Sequence, residues 1–128
     1  MKKLFYVLTT TLLLFACSTK FNRFDDSELK NFLVEDGQYF DFSFINLFDW
    51  DKVYIIPPYT SRQTISDKIG IQFNLPTTIQ SSDTVNLLIF INKNKVVKYD
   101  EVPRYIVDFD VSDTTLITPE NSKVKIRY

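Results

Sequence analysis

The most continuous apolar run downstream of the amino-terminal leader is Val85 to Ile91, interrupted only by Asn86. A run this short, bounded by polar turn residues, reads as a central strand buried on both faces. The next four residues, Asn92-Lys93-Asn94-Lys95, have the character of a hairpin turn, because asparagine tolerates the positive φ that tight turns require. Val96 to Val102 then returns as the antiparallel partner. A paired, doubly covered strand at this position commits the chain to a sheet, and the remaining segments have to be read as its neighbours and its cover.

Several of those segments alternate with a period of two. From Tyr39, Phe40, Phe42 and Phe44 alternate with Asp41 and Ser43. Trp50 to Ile56 reads as another strand, stopped by Pro57-Pro58, neither of which can donate to a ladder. Ile71 to Leu75 predicts a further short strand. Tyr105, Val107, Phe109 and Val111 alternate with Ile106, Asp108 and Asp110, and Val124, Ile126 and Tyr128 alternate with Lys123, Lys125 and Arg127.

Two helices complete the pattern. Asp25 is placed as an N-cap, Glu28 as the far side of a capping box, and Phe24 with Leu29 as a hydrophobic staple. Together with Gly37 as a stop they predict a helix over 26–36. Thr60 or Ser61 caps a second helix, Arg62 to Ile69, with Ile65 and Ile69 on its inner face and Gly70 ending it. The expected architecture is α+β: a single domain over 24–128, mostly antiparallel sheet, with two short helices packed on one face.

The leader is read separately. Met1-Lys2-Lys3 is a positive start, and Leu4 to Phe15 is an apolar stretch too short for the roughly 20 residues of a membrane-spanning helix. Leu14-Phe15-Ala16-Cys17 looks like a lipobox, the sequence at which bacterial lipoprotein precursors are acylated on cysteine and cleaved just before it. Residues 1–16 are therefore expected to be a lipoprotein signal peptide and 17–23 a lipidated tether. Cys17 is the only cysteine. It cannot form an internal disulfide, and acylation gives it a purpose that a stray thiol in an exported protein would lack.

Removal of the leader takes away Lys2 and Lys3, leaving 112 residues with 13 basic and 16 acidic side chains. That balance, without a basic cluster, argues against nucleic acid as a partner. With no histidine in the chain, a Ser-His or Cys-His nucleophile pair cannot be assembled, nor can a histidine base or metal ligand. Gly37 and Gly70 are the only glycines, too few for a phosphate-cradling loop. Ser27-Glu28-Leu29-Lys30 has the Ser-x-x-Lys spacing of penicillin-interacting enzymes but none of the companion motifs. No cofactor is expected, and the chain is not expected to be an enzyme. A hydrolase working through carboxylates alone is the remaining catalytic class. Asp108, Asp110 and Asp113 group hard oxygen ligands that could take calcium, although Ser112 and the missing glycine break the EF-hand pattern; a solvated acidic face is the plainer reading.

Trp50, Tyr54 and Tyr59, around the rigid Pro57-Pro58 step, are the candidate protein-binding residues, since tryptophan and tyrosine offer large contact area at low entropic cost. Trp50 and Tyr54 begin a strand, however, where aromatics are commonly core, and that is the plainer reading. The segment Trp50-Asp51-Lys52-Val53-Tyr54-Ile55-Ile56-Pro57-Pro58-Tyr59-Thr60 resembles one that recurs in a group of small, uncharacterised bacterial secreted proteins and lipoproteins. There it is similarly followed by a short helix, a strand-turn-strand like Leu87 to Val97, and a Pro-Arg like Pro103-Arg104. The resemblance spans roughly residues 45–110, with proline at position 57 where the group often has glycine, and it brings no activity with it. The expectation is a lipid-anchored cell-envelope protein acting as a non-catalytic binding or structural module. Its partners would be the membrane, through the lipid, and another envelope protein. It would sit on the outer membrane facing the periplasm in a two-membrane cell, or on the outer face of the cell membrane otherwise. The alternative is an inhibitor or immunity-type lipoprotein that blocks an exported enzyme or toxin.

Overall fold

The structure, a computed structural model, describes residues 24–111 and 116–127. The expected leader and tether, Cys17 included, lie outside the described residues, as do Asp113 and Tyr128. Chain order runs α1 (Asp26–Asn31), β1 (Leu33–Val34), β2 (Tyr39–Asp41), a 3₁₀ turn (Phe42–Phe44), β3 (Lys52–Ile56), α2 (Arg62–Ile69), β4 (Val85–Asn92), β5 (Lys95–Pro103) and β6 (Lys123–Lys125). The result is a single small α+β domain, mostly sheet. Its strands form two antiparallel sheets with spatial orders β3-β4-β5 and β1-β2-β6.

β4 is the central strand that its composition predicts. It pairs with β3 on one side and β5 on the other, and Leu87 through Phe90 are fully buried. Successive side chains on a strand point to opposite faces. Leu88 and Phe90 therefore enter one core with Val53, Ile55, Phe40, Phe42, Phe109 and Leu29. Leu87, Ile89 and Ile91 enter a second core with Ile56, Ile65, Ile69, Phe73 and Ile79. The first core lies between the two sheets and beneath α1; the second lies under α2 and the loop that follows it.

This corrects the placement of the helices. They do not share a face: Leu29 of α1 belongs to the first core and Ile65 and Ile69 of α2 to the second. The reason is β4 itself, which is apolar on both faces and cannot leave either one bare.

Local signals fared unevenly. α2 forms as expected, with the Ser61 hydroxyl accepting from the Thr64 N–H at 3.2 Å and Gly70 at φ 71° closing the helix. The β4–β5 hairpin also forms, Asn92 facing Lys95 across Lys93 and Asn94 at φ 49° and 62°. α1 stops at Asn31, five residues short of expectation. Leu33 and Val34 are drawn into pairing with Phe40 and Tyr39, and Glu35, Asp36 and Gly37, all at positive φ, make the turn between them. Phe24 and Leu29 are both buried, but Asp25 makes no side-chain cap hydrogen bond, so the capping box is not formed.

Three expected strands are shortened or replaced. β2 ends at Asp41, whose Oδ1 accepts from the Ser43 N–H (2.9 Å), the Ser43 hydroxyl (2.7 Å) and the Ser122 hydroxyl (2.7 Å). Those bonds turn the backbone into the 3₁₀ turn and leave Phe44 exposed. Residues 71–75 form no strand, because α2 satisfies their backbone from the side: Ser66 Oγ accepts from the Phe73 N–H at 2.9 Å, and Arg62 donates to the Leu75 carbonyl at 2.6 Å. Residues 105–111 form only an isolated bridge, Phe109 with Ile126. The preceding turn is held by the Ile106 and Val107 N–H groups on the Pro103 carbonyl and by the Arg104–Asp108 ion pair at 3.2 Å.

Candidate functional site

The outer edge of β3 opens into a cleft of about 440 Å³ between the two sheets. In an antiparallel strand alternate residues direct their N–H and C=O to alternate sides. Tyr54 and Ile56 face β4. Val53 faces outward, and its N–H donates to the Ile117 carbonyl at 3.0 Å. The same alternation turns the N–H and C=O of Ile55 into the cleft. Its carbonyl meets Lys68 Nζ, from the last turn of α2, at 3.5 Å. Among the described residues, no backbone acceptor takes up the Ile55 N–H.

Opposite this edge stand Lys123 and Lys125 of β6, both exposed, with Tyr39 and Tyr54 also on the walls. Lys123 is bonded to the Glu35 carboxylate at 2.9 Å, and that bond together with the carboxylate's charge raises its pKa above the ordinary 10.5. Lys68 and Lys125 make no ion pair among the described residues. Among the described residues one carboxylate lines the cleft, Asp110, which lies 3.9 Å from Arg127. The cleft is thus furnished chiefly with hydrogen-bond donors and positive charge, above a floor of Val53, Ile55 and Ile117. It can hold an acceptor-rich group.

The three candidate aromatics do not come together on one surface. Trp50 is half-buried against the first core, its ring edge-on to Phe90 at 6.3 Å and its Nε1–H donating to the Ile45 carbonyl at 2.8 Å. Tyr54 packs on the opposite side of the sheet, against the second core, and also lines the cleft. Tyr59 lies beyond the prolines, 64% exposed, at φ 61°, with its N–H donating to the Ile79 carbonyl at 2.8 Å. Trp50→Ala is expected to lower stability by about 2–4 kcal/mol, below or at the low end of a fully buried truncation because the ring is half-exposed. Urea unfolding reads this directly, and a variant as stable as the parent would return Trp50 to the pool of free contact residues.

Two of the three acidic candidates make structural contacts among the described residues. Asp108 accepts from Asn86 Nδ2 at 3.0 Å and from Arg104 at 3.3 and 3.2 Å, so both of its oxygens are engaged. Asp110 faces Arg127, and Asp113 lies outside the described residues. Among the described residues no group of three or more acidic or cysteine side chains could hold a metal ion. Sequence reading passed over Lys68 and Ile55. The available signals were a lysine in the last turn of a helix following a strand, and the alternating Lys123/Lys125 pair.

No family model matches the chain, and neither the curated proteins nor the solved structures compared with it contain a match.

Proposed function

We propose that this protein is a lipid-anchored module of the bacterial cell envelope, tethered through Cys17, which binds another envelope protein through the cleft beside Ile55 and does no catalysis. The observation that carries the binding role is the cleft itself, with Lys68 on one side and Lys123 and Lys125 on the other. The anchor rests on the lipobox at Leu14 to Cys17 and on Cys17 being the one cysteine in the chain. Each acyl methylene buried in a bilayer contributes about 0.8 kcal/mol, so several chains on one residue hold a domain firmly at the surface.

Two measurements test the two halves. Cells fed an alkyne fatty acid should label the protein on Cys17, and Cys17→Ser should abolish the label; persistent labelling would remove the anchor. A photo-cross-linking residue placed at Tyr54 in intact cells should capture one dominant envelope protein, and the capture should fade in the Cys17→Ser background. A diffuse set of products, the same in both backgrounds, would overturn the binding role.

A further inference from the structure

We infer that the domain lies against the bilayer that holds its anchor, with Phe44 and Leu47 dipped into the lipid headgroup layer; this rests on the proposed lipid anchor at Cys17 and not on the cleft. The first observation is where the tether ends. Seven residues, Cys17 to Arg23, separate the anchor from Phe24. At about 3.5 Å per residue they reach no more than about 25 Å. Half way round a domain of about 100 residues is on the order of 50 Å, so only the side that carries Phe24 comes within reach of the membrane. That side is fixed. The Phe24 N–H donates to Asp100 Oδ2 at 2.8 Å, and its ring packs edge-on to Phe90 at 6.2 Å. Both contacts lie on the first-core face of the central sheet, opposite the face that α2 covers.

The second observation is what borders Phe24 there. The Lys98 ammonium lies 3.7 Å from the Phe24 ring centroid and 5.4 Å from that of Phe48. The two rings are therefore neighbours, and the loop that carries Phe48 runs beside the point where the tether joins the domain. That loop is held at both ends. Ile45 is buried, its carbonyl accepts from Trp50 Nε1–H at 2.8 Å, and the Phe48 ring meets Phe90 at 5.1 Å. Between those holds Leu47 is 81% exposed, and Phe44, just past the Asp41 bonds to Ser43 and Ser122, is 50% exposed. Two large apolar side chains three residues apart, on a firmly packed base, are costly to leave in water and lose that cost on entering lipid. The charges nearby select no lipid: the basic Lys20 and Arg23 of the tether are followed at once by Asp25, Asp26 and Glu28. Contact with the bilayer is accordingly apolar and insensitive to salt.

The test uses the lipidated protein purified from membranes and reconstituted into phosphatidylcholine vesicles that carry a doxyl-labelled lipid as quencher. With the Cys17 thiol consumed by the anchor, a thiol-reactive fluorophore is placed on Asn46→Cys, between Phe44 and Leu47, or on Gln63→Cys, exposed on α2. The label at position 46 should be quenched and blue-shifted, the label at position 63 should be neither, and molar salt or added phosphatidylglycerol should change nothing. Phe44→Ser combined with Leu47→Asp should bring the quenching at position 46 down to the level at position 63, while the protein still floats with the vesicles and melts as before. Equal quenching at both positions would mean that the domain tumbles on its tether, and quenching lost in salt would give the contact to charge instead of Phe44 and Leu47; either result overturns the inference. So would a photo-cross-linking residue at Asn46 that captures a protein in cells in place of lipid, since the face would then belong to that partner. Protein that floats with the vesicles but shows no quenching would leave the anchor standing while the docked face falls. Protein that does not float with them would remove the anchor, and this inference with it.

Discussion

Replacing Phe90 with alanine is expected to lower the stability of the domain by about 3–5 kcal/mol, the range for truncating a fully buried aromatic. Phe90 has no exposed surface, and its ring is met by Phe48 at 5.1 Å, Phe24 and Phe42 at 6.2 Å, and Trp50 at 6.3 Å. Those four neighbours come from the segment preceding α1, the 3₁₀ turn and the loop before β3. The ring is therefore where separate stretches of chain meet on one face of β4. Removing it forfeits its transfer energy and opens a cavity that four rings fixed from different directions cannot all close. For a domain near 100 residues, each kcal/mol corresponds to about 4 °C or more in Tm, so a drop on the order of 15 °C should be seen. The single tryptophan offers a second readout, since loss of Phe90 should shift Trp50 emission to the red as water reaches the indole. A loss under about 1 kcal/mol would mean that the face between the two sheets is not packed as described.

The same strand shows what the sequence could and could not disclose. The run Val85 to Ile91 is legible because its apolar residues occupy both parities, which only a central strand can use. The helix of Arg62 to Ile69 is legible because its cap and its glycine stop are local chemistry, settled within ten residues. What failed was arrangement at a distance. Whether Leu33 and Val34 continue a helix or start a hairpin depends on Tyr39 and Phe40 being there to pair with them. Whether Phe44 follows Phe42 inward depends on Ser122, eighty-one residues away from Asp41, bonding to the Asp41 carboxylate. A strand buried on both faces needs cover on both, so a helix on each face is what the composition of β4 requires. The cleft was least legible of all, because it is made where separate stretches of chain meet and leaves no residue type behind. Lys68 and Lys125 mark it only once α2 and β6 are known to flank β3.

The second large effect is expected at Asp100, a carboxylate with only 1% of its surface exposed, on the first-core face of β5. Its Oδ2 accepts from the Phe24 N–H at 2.8 Å, tying the start of the described chain to the sheet. Two residues earlier on the same strand face, the Lys98 ammonium lies 3.7 Å from the Phe24 ring centroid and 5.4 Å from that of Phe48. Burial pushes the Lys98 pKa below its ordinary 10.5, while the charges of Asp100 and Glu28 pull it back. Asp100→Ala removes the acceptor and one of two countercharges together and should cost about 2–4 kcal/mol, from the unpaired Phe24 N–H and from a half-buried lysine left with Glu28 alone. Asp100→Asn keeps an acceptor for the Phe24 N–H and should lose less. Lys98→Met combined with Asp100→Asn should recover much of the loss, because an uncharged pair of similar volume has no desolvation to offset. pH separates the charge from the hydrogen bond. In Asp100→Ala the folded pKa of Lys98 falls further below its unfolded value, so between the two the unfolded chain binds the extra proton and stability rises with pH. The deficit of the variant relative to the parent should accordingly shrink as the solution is made alkaline toward 10.5. A deficit that stays constant with pH would assign the whole effect to the Phe24 tie and none to the buried charge.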